Sequence, residues 1–154
     1  SKLERNFGTR VNPEDSKATA ERRRLEKQRD ILVDTLYRKG RALGYMELPD
    51  VIEKHPVADP QAHDAAFEAN FAALRRWVDT TETKYGLLHI RRERRKTRYG
   101  AALKLLDRYI AASVPNYWYH KKRRDTYEQL GWKHLYESER RWLVIRFPKQ
   151  QEGF

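Results

Sequence analysis

Apolar positions recur along this chain at helical spacing, and no stretch alternates apolar and polar residues with period two over a useful length. Leu25, Leu32, Leu36 and Leu43 follow one another at intervals of seven, four and seven, and Ile31, Val33 and Tyr37 widen the same stripe. A long helix is expected there, from about Ser16 to Leu43. Pro13-Glu14-Asp15-Ser16 suits its positive end, and Gly44 suits its stop. Residues 1–15 carry no periodic pattern and read as a loose lead-in. Pro49, Pro56 and the adjoining Pro60 restrict residues 45–59 to a connector with at most one turn at Val51 to Lys54, held down by Tyr45, Met46, Leu48, Val51 and Ile52.

Asp59-Pro60 opens a second helix, the aspartate as cap and the proline in the first turn. Phe67, Phe71, Leu74 and Val78 form its core face, with Trp77 beside them. Asp79-Thr80-Thr81-Glu82 reads as a capping box that starts a third helix ending near Arg98. A fourth is expected from Thr97 or Gly100 to Ala112, with Leu103, Leu106, Tyr109 and Ile110 inward, joined tightly to the third near Tyr99-Gly100. Pro115 ends it, Asn116 starts a fifth, and Gly131 closes the fifth. Trp132 to Leu143 reads as a sixth helix, Val144 to Phe147 as extended, and Pro148 as the beginning of a polar tail. The fold class is therefore all-α: about six helices in stacked hairpins, with a short extended tail. Ala102, Leu106, Tyr109 and Pro115 partly echo a tetratricopeptide-type unit. The domain division runs 1–15, 16–59 (long helix and connector), 60–148 (helical-hairpin domain) and 149–154 (tail).

Composition narrows the chemistry. The 154 residues include no cysteine, so disulfide scaffolds, thiol zinc clusters and cysteine nucleophiles are excluded. No run approaches the roughly 18 apolar residues of a membrane span, so a soluble protein, cytosolic (cytoplasmic) or nuclear, with no membrane partner is expected. The four serines, Ser1, Ser16, Ser113 and Ser138, sit in no nucleophile elbow. His55, His63, His89, His120 and His134 form neither an i, i+4 pair nor a zincin motif. No glycine-rich phosphate loop occurs. No catalytic residue, metal site or cofactor site is expected in this chain.

The net charge of +11 is regional. Residues 1–77 hold 15 basic and 13 acidic side chains, whereas residues 78–154 hold 18 and 9. Three runs concentrate it: Arg22 to Arg24, Arg91 to Arg98, and Lys121 to Arg124. Each reads either as a solvated helix face or as a footprint for phosphate or an acidic protein. Arg91, Arg92, Arg95, Arg98, Lys121, Lys122, Arg123 and Arg124 are accordingly the interface candidates. The third helix is the most informative, because its inward seam through Tyr85 and Leu88 continues into Arg92 and Arg95. Those arginines can lay their stems over a neighbouring helix, pair with Asp107, Asp125 and Glu128, or project into a partner. Tyr117, Trp118, Tyr119, Tyr127, Trp132, Tyr136 and Trp142 interleave with the last run. Such a mixture suits single-stranded nucleic acid, but a packing role is expected for the tryptophans because of their large buried area. The expected core comprises Phe67, Phe71, Leu74, Leu103, Leu106, Trp118, Leu130, Gly131, Trp132 and Trp142.

From Phe67 to Pro148 the order of residues resembles the extreme C-terminal region of the tripeptidyl-peptidase II family, the giant serine exopeptidases of the subtilisin class. The resemblance is carried by Trp77-Val78-Asp79 with Lys84, by Leu87-Leu88, and by Tyr99-Gly100 followed by Leu103-Lys104 and Trp118. It is most specific at Leu130-Gly131-Trp132-x-His134 and Trp142-Leu143-x-Ile145-x-x-Pro148. Tyr37-Arg38-Lys39-Gly40-x-Ala42-Leu43 is similar to the preceding helix of that region. The resemblance implies a parent cytosolic enzyme that removes tripeptides from peptide N-termini, with its Asp/His/Ser triad in a separate domain upstream of Ser1. It also implies a helical region that packs against neighbouring subunits of a homo-oligomer. None of the triad motifs occurs here, so no catalytic residue carries over. The expected function is a non-catalytic module for assembly and regulation. The alternative is a helical RNA- or DNA-binding protein of ribosomal type that uses the basic, aromatic half.

Overall fold

The computed structural model describes residues 13–44 and 53–150. Among these residues the secondary structure is helical throughout, in six helices: α1 (Pro13–Leu43), α2 (Pro60–Arg75), α3 (Thr83–Arg95), α4 (Tyr99–Ala112), α5 (Tyr117–Leu130) and α6 (Lys133–Arg146). The all-α class and the helical hairpins are as the periodicity implies. The lead-in as far as Asn12, the connector from Tyr45 to Ile52 and the tail from Gln151 lie outside the described residues; Glu53 and Lys54 are helical.

The chain divides into two compact units, Ser1–Thr35 and Leu36–Phe154. The boundary falls inside α1, not in the proline-containing connector. In the first unit α1 is a charged helix, with Arg22 and Glu26 3.9 Å apart one turn along. Leu25 and Ile31 are exposed there, and Leu32 is only partly covered. The continuous apolar stripe expected from Leu25 to Leu43 therefore does not form a core face over its first half.

In the second unit each helix from α2 onward packs on its neighbours in sequence. The last turns of α1 join this stack. Asn70 Nδ2 donates to Leu36 O at 2.8 Å, and His63 Nε2 lies 2.7 Å from Leu43 O, one of the terminal carbonyls that α1 cannot satisfy within itself. The Asp59 carboxylate accepts from Ala62 N at 3.0 Å, with Pro60 in the first turn, so α2 starts where the sequence indicates. Phe67, Phe71, Leu74 and Val78 are buried; Trp77 is not.

The Asp79 to Glu82 segment caps differently from expectation. Asp79 accepts from Thr81 N at 2.9 Å, and Glu82 reaches back to Asp79 N at 3.5 Å, but these residues form a turn. Helix α3 begins only at Thr83, because the aspartate bonds two residues ahead and closes a turn of its own. The α3–α4 joint is also displaced from Tyr99-Gly100, both of which lie inside α4. The chain reverses at Thr97, with φ at 58°. There Arg98 N bonds Glu93 O at 3.0 Å and Thr97 N bonds Arg94 O at 2.9 Å, the paired closure of a Schellman motif. Gly131 does the same for α5, at φ 72°, with Trp132 N to Tyr127 O and Gly131 N to Glu128 O both at 3.0 Å. Residues 144–146, expected to be extended, continue α6 to Arg146, and Leu143 is fully buried within it.

The core of the stack gathers Leu87, Ile90, Ala102, Leu105, Leu106 and Tyr119, with Leu103, Tyr109 and Ile110 packed around it. A ladder of rings runs through it across four helices. Phe67 meets Phe71 at 6.4 Å between centroids, Phe71 meets Tyr85 at 5.4 Å, and Tyr85 meets His89 at 5.7 Å. His89 then meets Tyr109 at 6.1 Å, and Tyr109 meets Tyr119 at 5.3 Å. Trp118, Trp132 and Trp142 are corrections to the expected core, being 51%, 47% and 37% exposed. They pack ring on ring at the surface instead, Trp142 over His120 at 3.9 Å and Trp132 beside Tyr127 at 6.1 Å. Leu130 is half-buried, and Gly131 serves as a helix terminator, not as core.

Candidate functional site

The fold divides the eight candidate cations into two groups. Arg92, Arg95, Arg98, Arg123 and Arg124 turn to carboxylates of the chain itself. Arg92 Nε donates to Glu68 Oε1 at 2.7 Å, and Lys96 Nζ lies 3.3 Å from the same oxygen. Burial disfavours the Glu68 charge, but these two cations outweigh it and hold the carboxyl below its usual range. Arg95 pairs with Asp64, which it holds low chiefly through that hydrogen bond, while its guanidinium lies 4.7 Å from the centre of the Phe67 ring. Arg98 is 3.5 Å from Glu93. Arg124 is buried and bonds Asp125 at 2.7 Å.

Arg123 belongs to the most enclosed of these clusters. Its Nη2 and Nε reach Glu139 Oε2 at 2.9 and 3.0 Å, and its Nη1 reaches Asp107 at 3.2 Å. Glu139, buried on α6, also lies 2.6 Å from His120 Nδ1, and Trp142 covers that imidazole. Burial works against the Arg123 charge, yet Glu139 and Asp107 more than offset it, and the guanidinium is held more firmly protonated than usual. This cluster fastens α6 to α5 and α4. His89, between Tyr85 and Tyr109, has its Nδ1 2.9 Å from the Tyr109 hydroxyl. Burial pushes the imidazole down and the phenol up, so both stay neutral.

The second group does gather. Arg91, Lys121 and Lys122 line a cavity of about 980 Å³ in the larger unit, together with Arg41, Lys84 and Arg94. Asp125 and Glu128 are the acids on its wall, and Tyr37 and Trp118 its aromatic rings. Arg41 and Lys84 stand 5.9 and 6.0 Å from the centre of the Tyr37 ring, and Lys121 stands 5.6 Å from that of Trp118. Sequence reading missed Tyr37, Arg41, Lys84 and Arg94. Tyr37 and Arg41 lie far from either basic run and reach the cavity from α1, whereas Lys84 precedes Arg91 by seven residues on α3 and so lies on the same face of that helix. No group of three or more His, Asp or Glu side chains able to hold a metal occurs among the described residues. No helix among them is long and apolar enough to cross a membrane.

No family model matches the chain, and no solved structure does. Two plant proteins match it over nearly its whole length. It is 36% identical over 142 residues, 91% of the chain, to tripeptidyl-peptidase 2 of Arabidopsis thaliana. The chain is similar to a stretch of tripeptidyl-peptidase 2. The same-named protein of Oryza sativa subsp. japonica is 36% identical over 154 residues, 99% of the chain. The chain spans only about a tenth of the length of these relatives, 10% and 11%. The part of tripeptidyl-peptidase 2 that it matches thus corresponds here to a helical stack whose charged clusters are mostly structural.

Proposed function

We propose that this chain is a non-catalytic helical module, the C-terminal region, of a cytosolic tripeptidyl-peptidase 2-type serine exopeptidase that releases tripeptides from peptide N-termini. Its role is assembly of the enzyme's subunits and coupling of assembly to activity. The observation that carries this reading is similarity at 36% identity along the whole chain to one tenth of such proteins. A segment of that size with its own packed core is a module of a larger machine. The assembly half draws support from α6, which exposes Leu135, Trp142 and Ile145 at intervals of seven and three along one stripe. The nucleic-acid reading loses support, since five of the eight candidate cations are held by carboxylates within the fold.

Two measurements test the two halves. The purified chain should release no tripeptide from a peptide with a free N-terminus; turnover by the isolated chain would refute the non-catalytic assignment. In the full-length enzyme, Ile145→Asp should reduce particle mass in light scattering. Ile145 is 81% exposed, so the change should leave the melting temperature of the isolated chain unaltered. Unchanged particle mass would count against this face as a subunit contact.

A further inference from the structure

We infer that the exposed face of α6 is self-complementary and pairs antiparallel with α6 of a second copy of this chain. The inference rests on the reading of that face as a subunit contact and names its occupant. At 100° per residue, Leu135, Ser138, Trp142 and Ile145 fall within one arc of about 80°. All four are exposed, Leu135 by 47%, Trp142 by 37% and Ile145 by 81%. The inward face serves the fold: Leu143 is buried, and Glu139 is buried against His120 and Arg123. The Trp142 ring stacks on His120 at 3.9 Å and meets Phe147 at 5.9 Å. It is a knob already fixed in place, so ordering it on association costs little.

The stripe has spacings of three, four and three, which read the same from either end. An antiparallel partner of identical sequence therefore sets Leu135 of one copy level with Ile145 of the other. The same register sets Trp142 opposite Ser138 of the second copy. The largest side chain of the face then meets the smallest, which leaves a hole for the indole. A parallel partner would set Trp142 against Trp142 and Ser138 against Ser138, with a clash in one layer and a void in the next. Charge agrees with size. Glu137 and Arg141 lie one turn apart on the same flank of the stripe. Antiparallel pairing brings each beside the opposite charge of the second copy, whereas parallel pairing sets like against like. Glu137 also meets Arg140 of its own helix at 3.0 Å. Such an isologous contact is the commonest way in which identical subunits meet. One helix crossing is smaller than the roughly 800 Å² per partner of a standard interface, so pairing of the isolated chain is weak and concentration-dependent.

Sedimentation velocity of the 18.5 kDa chain tests this. A monomer at about 5 μM should move toward twice its mass by about 200 μM. Ser138→Trp fills the hole opposite Trp142 and should keep the chain monomeric at the same helical content. Glu137→Arg and Arg141→Glu should each weaken pairing at least about tenfold, since each sets like charges together twice. Mixed in equal amounts, those two variants should pair within about threefold of the unaltered chain, because every glutamate then meets an arginine. A chain that stays monomeric up to about 200 μM would overturn the inference. So would a dimer that Ser138→Trp leaves intact, or a mixture that pairs no better than its components. The assembly reading fails on a different result, unchanged particle mass of the full-length enzyme carrying Ile145→Asp. A monomeric chain together with reduced particle mass would mean that α6 meets another surface of its neighbour, and only the self-pairing would fall.

Discussion

At the residue scale, single contacts carry more than their sequence neighbourhood suggests. Glu139 stands between His120 and Arg123, both largely enclosed. Removing one member of such a cluster leaves its partners desolvated and unmatched, so Glu139→Ala should cost about 3 kcal/mol in urea denaturation. Glu137→Ala, which breaks only a half-exposed pair with Arg140, should stay within about 0.5 kcal/mol. Gly86 is set by close approach: a Cβ there would collide with the Tyr119 hydroxyl oxygen. Gly86→Ala should therefore destabilise by about 2 kcal/mol, and Tyr119→Phe in the same chain should recover part of that loss. Full stability of the single variant would show that Tyr119 moves aside freely.

At the element scale, two helices close in the same way with different residues. Gly131 takes a left-handed conformation at no steric cost, and its role is readable in the sequence. Thr97 adopts nearly the same conformation as a β-branched residue, and nothing in Lys96-Thr97-Arg98 signals it. Packing of α3 on α4 dictates the reversal there and overrides local preference. Thr97→Gly should raise stability by about 1 kcal/mol, and Gly131→Ala should lower it by a similar amount. The pH dependence belongs to this scale too, since it reports the α2–α3–α4 contact. The depressed His89 means that the unfolded chain takes up a proton first, so stability should fall as pH drops below the ordinary histidine value of 6.5. The depressed carboxyls of Glu68 and Asp64 should remove a further share below 4.5 and 3.8, respectively. Thermal melts across this range should show both losses, and His89→Phe should abolish the one between 6.5 and the carboxylate range.

At the scale of the whole molecule, the amphipathic pattern reveals the helices and most of the core, because burial of Phe67, Phe71, Leu74 and Leu106 follows from spacing alone. It misplaces what depends on tertiary context. Trp118, Trp132 and Trp142 look like core by size, yet each ends up on the rim of the stack, covered on one face by Lys121, Tyr127 or His120. Basic runs look like surface by charge, yet Arg95 and Arg124 are buried against acids drawn from α2 and α5. The cavity could not be read from either run, because Arg41 and Tyr37 reach it from α1. The positive charge of residues 78–154 thus separates into a share paired within the fold and a share that lines the cavity.

The assembly role is the central claim, and deletion in the parent enzyme tests it most directly. The full-length tripeptidyl-peptidase 2-type enzyme is compared, by light scattering and by activity per active site, with a form lacking the segment that corresponds to this chain. The proposal predicts a folded protease of reduced particle mass and lower specific activity. Unchanged mass and activity in the deleted form would contradict it.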